Sequence, residues 1–280
     1  MERRPLWLWP NMLSLDAPLV AVVWVWMFAK TWRVVWYPES LYWLVGLSVW
    51  IIYVVDRLLD SGVVKNSPRS ASPRHQFHQR HSKVLWVCVV MAAIACVAIL
   101  ATLPTGLWSH GAMVLVFVVG YFVLVFLQTD AEISVAKNIV AGMAFAYGTA
   151  VGVHFWRPDS NLFWFLMSSE TLAFGVLCIL NITAIDVWAS PGRRKGSVDP
   201  EDARKILLSL LPLVLFIFCV MYSSKADEYS KPFFLAVGVS AALLYVVDRL
   251  GGLMSKNLQR VLGDVVMAVS VVIFFFNYPF

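Results

Sequence analysis

Asp56 and Asp60 stand four residues apart at the end of a long apolar stretch, and a segment dense in Lys, Arg and His follows at once. A spacing of four puts both carboxylates on one face of a helix, with Cβ atoms about 6 Å apart. Such a pair repels itself beside a bilayer unless a cation intervenes. The hard oxygens of Asp suit Mg²⁺, which keeps several waters and takes its remaining ligands from a substrate phosphate. Opposite charge comes from Lys65, Arg69, Arg74, His75, His78, Arg80, His81 and Lys83, so this end of the helix has the composition to hold Mg²⁺ and a diphosphate. The His75, His78, His81 spacing would also allow a transition-metal site on a helical turn, although a solvated loop is the simpler reading.

A second polar cluster repeats the arrangement: Asn181, Thr183 and Asp186 precede Pro191-Gly192-Arg193-Arg194-Lys195-Gly196-Ser197. An acid-ended helix followed by a basic loop, twice in one chain, is what two Mg²⁺ ions bridging a diphosphate would require. Glu170 falls near the middle of the sixth apolar stretch, where an ionisable group is costly and faces a cavity or a partner. It reads either as a base accepting a proton or as a protonated acid hydrogen-bonded between helices.

These residues must be carried by membrane helices. The chain has 280 residues, 60% hydrophobic and 14% charged, with mean hydropathy +0.74, far too apolar for a soluble globular domain. Nine apolar stretches, near 14–37, 40–58, 84–103, 109–127, 138–156, 161–185, 206–222, 232–248 and 261–279, predict an all-α bundle of nine transmembrane helices. The whole chain, 1–280, reads as a single integral membrane domain, with loops 61–83 and 187–205 forming a cap over the site.

Lys and Arg favour the cytoplasmic side. An internal N-terminus leaves only Lys30, Arg33, Arg157, Lys225 and Lys231 of the 22 basic residues outside. The site loops are then cytoplasmic and the C-terminus external. Asp248 falls on the same face as Asp56, and the net charge of +5 reads as a membrane and phosphate signal; no nucleic-acid motif accompanies it. Cys88, Cys96, Cys178 and Cys219 all lie within apolar stretches and read as packing residues. One echo stands out: Tyr53-Val54-Val55-Asp56-Arg57-Leu58 recurs as Tyr245-Val246-Val247-Asp248-Arg249-Leu250.

Taken together, these features resemble the UbiA superfamily of intramembrane prenyltransferases, which includes UbiA-type terpene cyclases. Asp56-xxx-Asp60 is similar to the aspartate pair of the family's first motif, with Ile52 where Asn is expected, and Asp186 with Asn181 is similar to a reduced second motif. Lys137-Asn138 and Gly196-Ser197 resemble further basic and glycine-containing segments of the family. The resemblance implies Mg²⁺-assisted ionisation of an isoprenyl diphosphate. Asp56, Asp60 and Asp186 would hold metal, Asp248 would stand in for a missing ligand, and Asn181, Lys137, Arg69, Arg74, Arg193 and Arg194 would hold the diphosphate. The allylic cation would pass to a lipophilic acceptor or, in a cyclase, attack its own double bonds. A different class, a lipid-binding or transport bundle without catalysis, draws on the internal echo and Glu170.

Overall fold

A computed structural model of the protein describes residues 5–63, 73–127, 131–158, 161–189 and 200–279; the side chains of 60–63, 73–75, 131–134 and 200–207 fall outside the description. Every regular element among the described residues is helical. Inside a bilayer this is the arrangement that satisfies each backbone N–H and C=O within its own segment.

The helices are α1 (Trp9–Met12), α2 (Asp16–Thr31), α3 (Ser40–Val63), α4 (Pro73–Arg80), α5 (Ser82–Thr102), α6 (Gly106–Phe126), α7 (Ala131–Phe155), α8 (Leu162–Leu166), α9 (Ser169–Ala189), α10 (Pro200–Ser223), α11 (Lys231–Arg249) and α12 (Lys256–Asn277). Among the described residues seven of these, α3, α5, α6, α7, α9, α11 and α12, are long and apolar enough to cross a membrane. An eighth span results if Leu6–Met12 and Asp16–Thr31, bent by 79° to each other, count as one. The stretch expected at 206–222 corresponds to the shorter apolar helix Leu208–Ser223.

The bend between α1 and α2 is a complete Schellman turn. Leu15 N–H donates to Pro10 O at 2.9 Å and Ser14 N–H to Asn11 O at 3.3 Å. Such a turn demands a left-handed residue, usually glycine. Ser14 occupies it at φ 59°, and Arg33 occupies the corresponding place after α2 at φ 54°. A non-glycine residue in this conformation is strained, and the surrounding structure must hold it there. Ser14 is fully buried against Arg57, and Arg33 lies 4.9 Å from the ring centre of Tyr229.

The chain divides into two compact units. The first comprises residues 1–22 and 38–104. In it α3 packs on α5 through Val54, Leu58, Leu85 and Val89, with Trp50, Ile51 and Val55 against them. Much of the loop expected over 61–83 is helix: α3 runs on to Val63, and α4 follows with Pro73 at its first position. Proline's fixed φ is preorganised for that place. Hydropathy misses α4 because it is eight residues long and polar, and it packs on α1 and α3 through few side chains. Trp9 meets Phe77 edge-on at 6.4 Å.

The second unit comprises residues 23–37 and 105–280. Its centre is α9, which touches α7, α10, α11 and α12. Small residues let α7 and α9 approach closely: a Cβ on Gly142 would lie 2.7 Å from the backbone N of Ile179, and one on Gly175 would lie 2.7 Å from the sulfur of Met143. Above that contact Trp24 stacks on Phe174 at 4.0 Å and meets Phe233 edge-on at 5.4 Å, and its Nε1–H donates to Met267 O at 2.9 Å. All three rings are fully buried, so this aromatic cluster is packed core. Phe145 joins its edge, 6.1 Å from Phe174.

The sixth expected stretch, 161–185, is broken. Asn161 caps α8 by accepting from Phe163 N–H at 2.8 Å, and Ser168 starts α9 by accepting from Thr171 N–H at 3.1 Å. Capping side chains that satisfy a helix's first N–H groups mark a new start even within an apolar run.

Candidate functional site

In the first unit the acidic turn belongs to α3, an unbroken helix through Asp56 and Asp60, so the four-residue spacing keeps both positions on one face. Asp56 is half-buried; the side chain of Asp60 lies outside the described residues. Between them stands Arg57, whose charge could equally pair with these carboxylates at a membrane surface. Arg57 is only 5% exposed, donates from Nη1 to Asn11 O at 2.9 Å, and donates from the same nitrogen to Ser14 Oγ. Its guanidinium lies 5.7 Å from the ring centre of Tyr53, one turn earlier.

The network extends from there. Ser14 Oγ lies 3.4 Å from His78 Nε2, and Asn11 Nδ2 donates to Asp16 Oδ2 at 2.5 Å. His78 is fully buried in α4, which corrects the expectation of a solvated loop at that position; His81 is exposed, and the side chain of His75 lies outside the described residues. The sequence held one signal for this network: Arg57 is a permanently charged group at the end of an apolar stretch, and it requires acceptors.

The echoed hexapeptide repeats one local detail. Arg249 lies over Tyr245 at 4.9 Å, as Arg57 does over Tyr53. Their surroundings differ, because Arg249 is exposed and Arg57 is buried.

In the second unit, Asp186 near the end of α9 accepts from Asn138 Nδ2 of α7 at 3.3 Å. Asn138 is buried, and the neighbouring Lys137 is half-buried in the same turn. Asp248, near the end of α11, accepts from Trp188 Nε1 at 2.8 Å. Trp188 is two residues beyond Asp186, about 200° round the helix. Asp186 and Asp248 are therefore engaged on different flanks of α9.

Asn181 also faces away from Asp186. A Cβ on Gly263 of α12 would meet Asn181 Oδ1 at 3.0 Å and the Trp188 ring at 3.3 Å, so Asn181 and Trp188 form one stripe toward α12. Asn181 Oδ1 is buried with no hydrogen-bond partner. The amide that actually reaches Asp186 is that of Asn138, 48 residues earlier in the chain.

Glu170 sits in the first turn of α9, not at mid-depth, because the chain breaks before Ser169. Ser169 Oγ donates to it at 3.2 Å and Ser230 Oγ at 3.4 Å. An acid in a first turn is stabilised by the helix dipole, which accounts for its position without a catalytic duty. Arg69, Arg193 and Arg194 lie outside the described residues; Arg74 belongs to α4, its side chain outside the description.

Among the described residues no group of three or more His, Cys, Asp or Glu converges as a metal cage. Mg²⁺ needs no such cage, since one or two carboxylates with water and substrate phosphate complete its shell. The Asp56 turn and the Asp186–Asn138 pair each have that donor chemistry. No protein-family model, no curated protein and no solved structure matches the chain.

Proposed function

We propose that this chain is a Mg²⁺-dependent membrane enzyme that ionises an isoprenyl diphosphate and transfers the prenyl group to a lipophilic acceptor. The observation that carries the reading is the carboxylate pair of α3, held on one face of an unbroken span that is tied at Arg57 to a strained turn. A site that must align a leaving group benefits from such a locked support. The reading takes α2 and α10 as the eighth and ninth spans, puts the N-terminus in the cytoplasm and treats the chain as one membrane domain. The resemblance to the UbiA superfamily is part of its support.

Asp56 and Asp60 would hold one Mg²⁺, and Asp186, oriented by Asn138, would hold the other. Bound there, Mg²⁺ would neutralise charge on the departing diphosphate. Lys137 and the basic residues of 64–83 and 190–199 would bind the diphosphate oxygens. The C–O bond breaks with its electron pair on the diphosphate, and the acceptor's nucleophile closes the new bond and gives up its proton. Of the two features that favour a transport bundle, Glu170 no longer counts, because it lies in the first turn of α9.

The test is diphosphate release from farnesyl and geranylgeranyl diphosphate by the purified protein in nanodiscs, with Mg²⁺ or EDTA, with and without a phenolic acceptor. Acceptor-dependent prenylated product supports transfer. A cyclic hydrocarbon or alcohol made without acceptor assigns the same ionisation to a terpene cyclase. Binding without Mg²⁺ and without product rejects both.

A further inference from the structure

At the end of the second unit remote from Asp186, six buried polar atoms have no hydrogen-bond partner among the described residues: Thr31 Oγ1, Trp32 Nε1, His110 Nε2, Thr149 Oγ1, His154 Nδ1 and Trp156 Nε1. Along α7 this end, marked by His154, lies about 24 Å from Asn138 at the helical rise. Buried polar groups are almost always satisfied, so a concentration of orphans at one place points to a missing partner.

Trp32, His110 and His154 are neighbours. Trp32 meets the His154 ring at 5.6 Å and carries Arg157 over its face at 5.3 Å; His110 lies 6.5 Å from His154; Trp156 meets Trp36 edge-on at 5.0 Å. His154 is 1% exposed, Thr149 0% and Thr31 3%. These side chains come from the end of α2, the start of α6 and the end of α7.

The donors define the ligand. His110 Nδ1 lies 3.2 Å from Gly106 O and 3.4 Å from Ser109 Oγ; in the tautomer that donates to the carbonyl, Nε2 offers a lone pair. The Trp32 indole N–H only donates. A partner must therefore both donate and accept, as a hydroxyl does. A direct imidazole–imidazole hydrogen bond would bring the ring centres to about 5 Å. A tetrahedral metal held by both rings would also bring them to about 5 Å. One oxygen bridging both nitrogens gives about 6.5 Å, matching the observed 6.5 Å.

Exposed Trp36, Trp108, Phe163 and Trp164 surround this end as an interfacial aromatic belt does. Molecules that lie at that level carry a polar head and an apolar body. We propose that His110, His154 and Trp32 bind the hydroxyl head of a lipophilic alcohol or phenol entering from the surrounding lipid.

A long-chain alcohol bearing a photoreactive diazirine tests this on the protein in nanodiscs, beside its O-methyl ether. The expected result is saturable labelling of the peptides around 106–110 and 149–157, displaced by unlabelled alcohol and unchanged in EDTA. The ether, which cannot donate to His110 Nε2, should bind about tenfold more weakly. Trp32→Phe should weaken the alcohol by a similar factor, and His110→Phe should erase the difference between alcohol and ether. Absence of saturable labelling, meaning that the site holds water only, overturns the proposal. So does equal binding of alcohol and ether to the wild-type protein, a comparison that needs no variant. Loss of prenyl-diphosphate chemistry with labelling intact would reject only the function proposed above.

Discussion

Arg57 of α3 donates a hydrogen bond to Ser14, a residue held in the left-handed conformation where a Schellman turn normally places glycine. The acidic turn of the first unit is thereby joined to the bend between α1 and α2 by a charge that is 5% exposed.

Substitution at Ser14 separates its backbone and side-chain roles. Ser14→Gly relieves the left-handed strain and loses the acceptor, whereas Ser14→Ala loses the acceptor and keeps the strain. Ser14→Ala should therefore cost about 1–3 kcal/mol and Ser14→Gly measurably less. Thermal unfolding in detergent reads the difference; equal losses would show that the turn carries no strain. Arg57→Lys should not rescue Arg57→Ala, because an ammonium cannot reproduce the planar fork.

Asn138 should matter through Asp186. Asn138→Ala is expected to raise the Mg²⁺ concentration needed for half-maximal diphosphate release, with a rate loss of about tenfold at low Mg²⁺ that recovers at high Mg²⁺. Asp186→Asn and Asp56→Asn should lose the activity at every Mg²⁺ concentration. An Asn138→Ala enzyme with an unaltered Mg²⁺ dependence would separate the pair from metal binding.

The close approach of α7 and α9 gives a graded series. Gly142→Ala places a methyl 2.7 Å from backbone N of Ile179, which cannot move without shifting a helix, and should destabilise by about 1–3 kcal/mol. Gly175→Ala meets the flexible side chain of Met143 and should cost less. Gly111→Ala meets nothing within 4 Å and should be neutral or slightly stabilising. Unfolding midpoints of the three variants check the order.

Tyr278 follows α12 and donates from its hydroxyl to Lys30 O at 3.1 Å. Burial raises its pKa above the ordinary phenol value of 10.0; Tyr229 adds to the rise and Arg33 opposes it. A raised folded-state pKa means the folded protein holds its proton where the unfolded chain has lost it. The contribution is therefore intact below the ordinary phenol range and is lost as pH rises through the folded pKa. Tyr278→Phe should be less stable at neutral pH, through the lost hydrogen bond, yet show a shallower alkaline decline. Parallel declines for both proteins would remove Tyr278 from the titration.

Composition and hydropathy establish the helical, membrane-embedded character and the position of most spans. Hydropathy is a local quantity, and a bilayer leaves a long apolar segment no alternative to a helix. The α3 aspartate pair was legible for the same reason, since four residues on one helix need no other part of the chain. Tertiary structure alone decided which polar groups meet. Asn138 reaches Asp186, Trp188 reaches Asp248, Arg57 reaches Asn11 and Ser14, and His110 lies beside His154. These partners are 43 to 60 positions apart in the chain. Helix rotation and crossing, set by contacts such as Gly142 on Ile179, choose the facing flank, and no local periodicity contains that choice. Glu170 shows the converse: its depth followed from a capped helix start at Ser168 that mean hydropathy averages away.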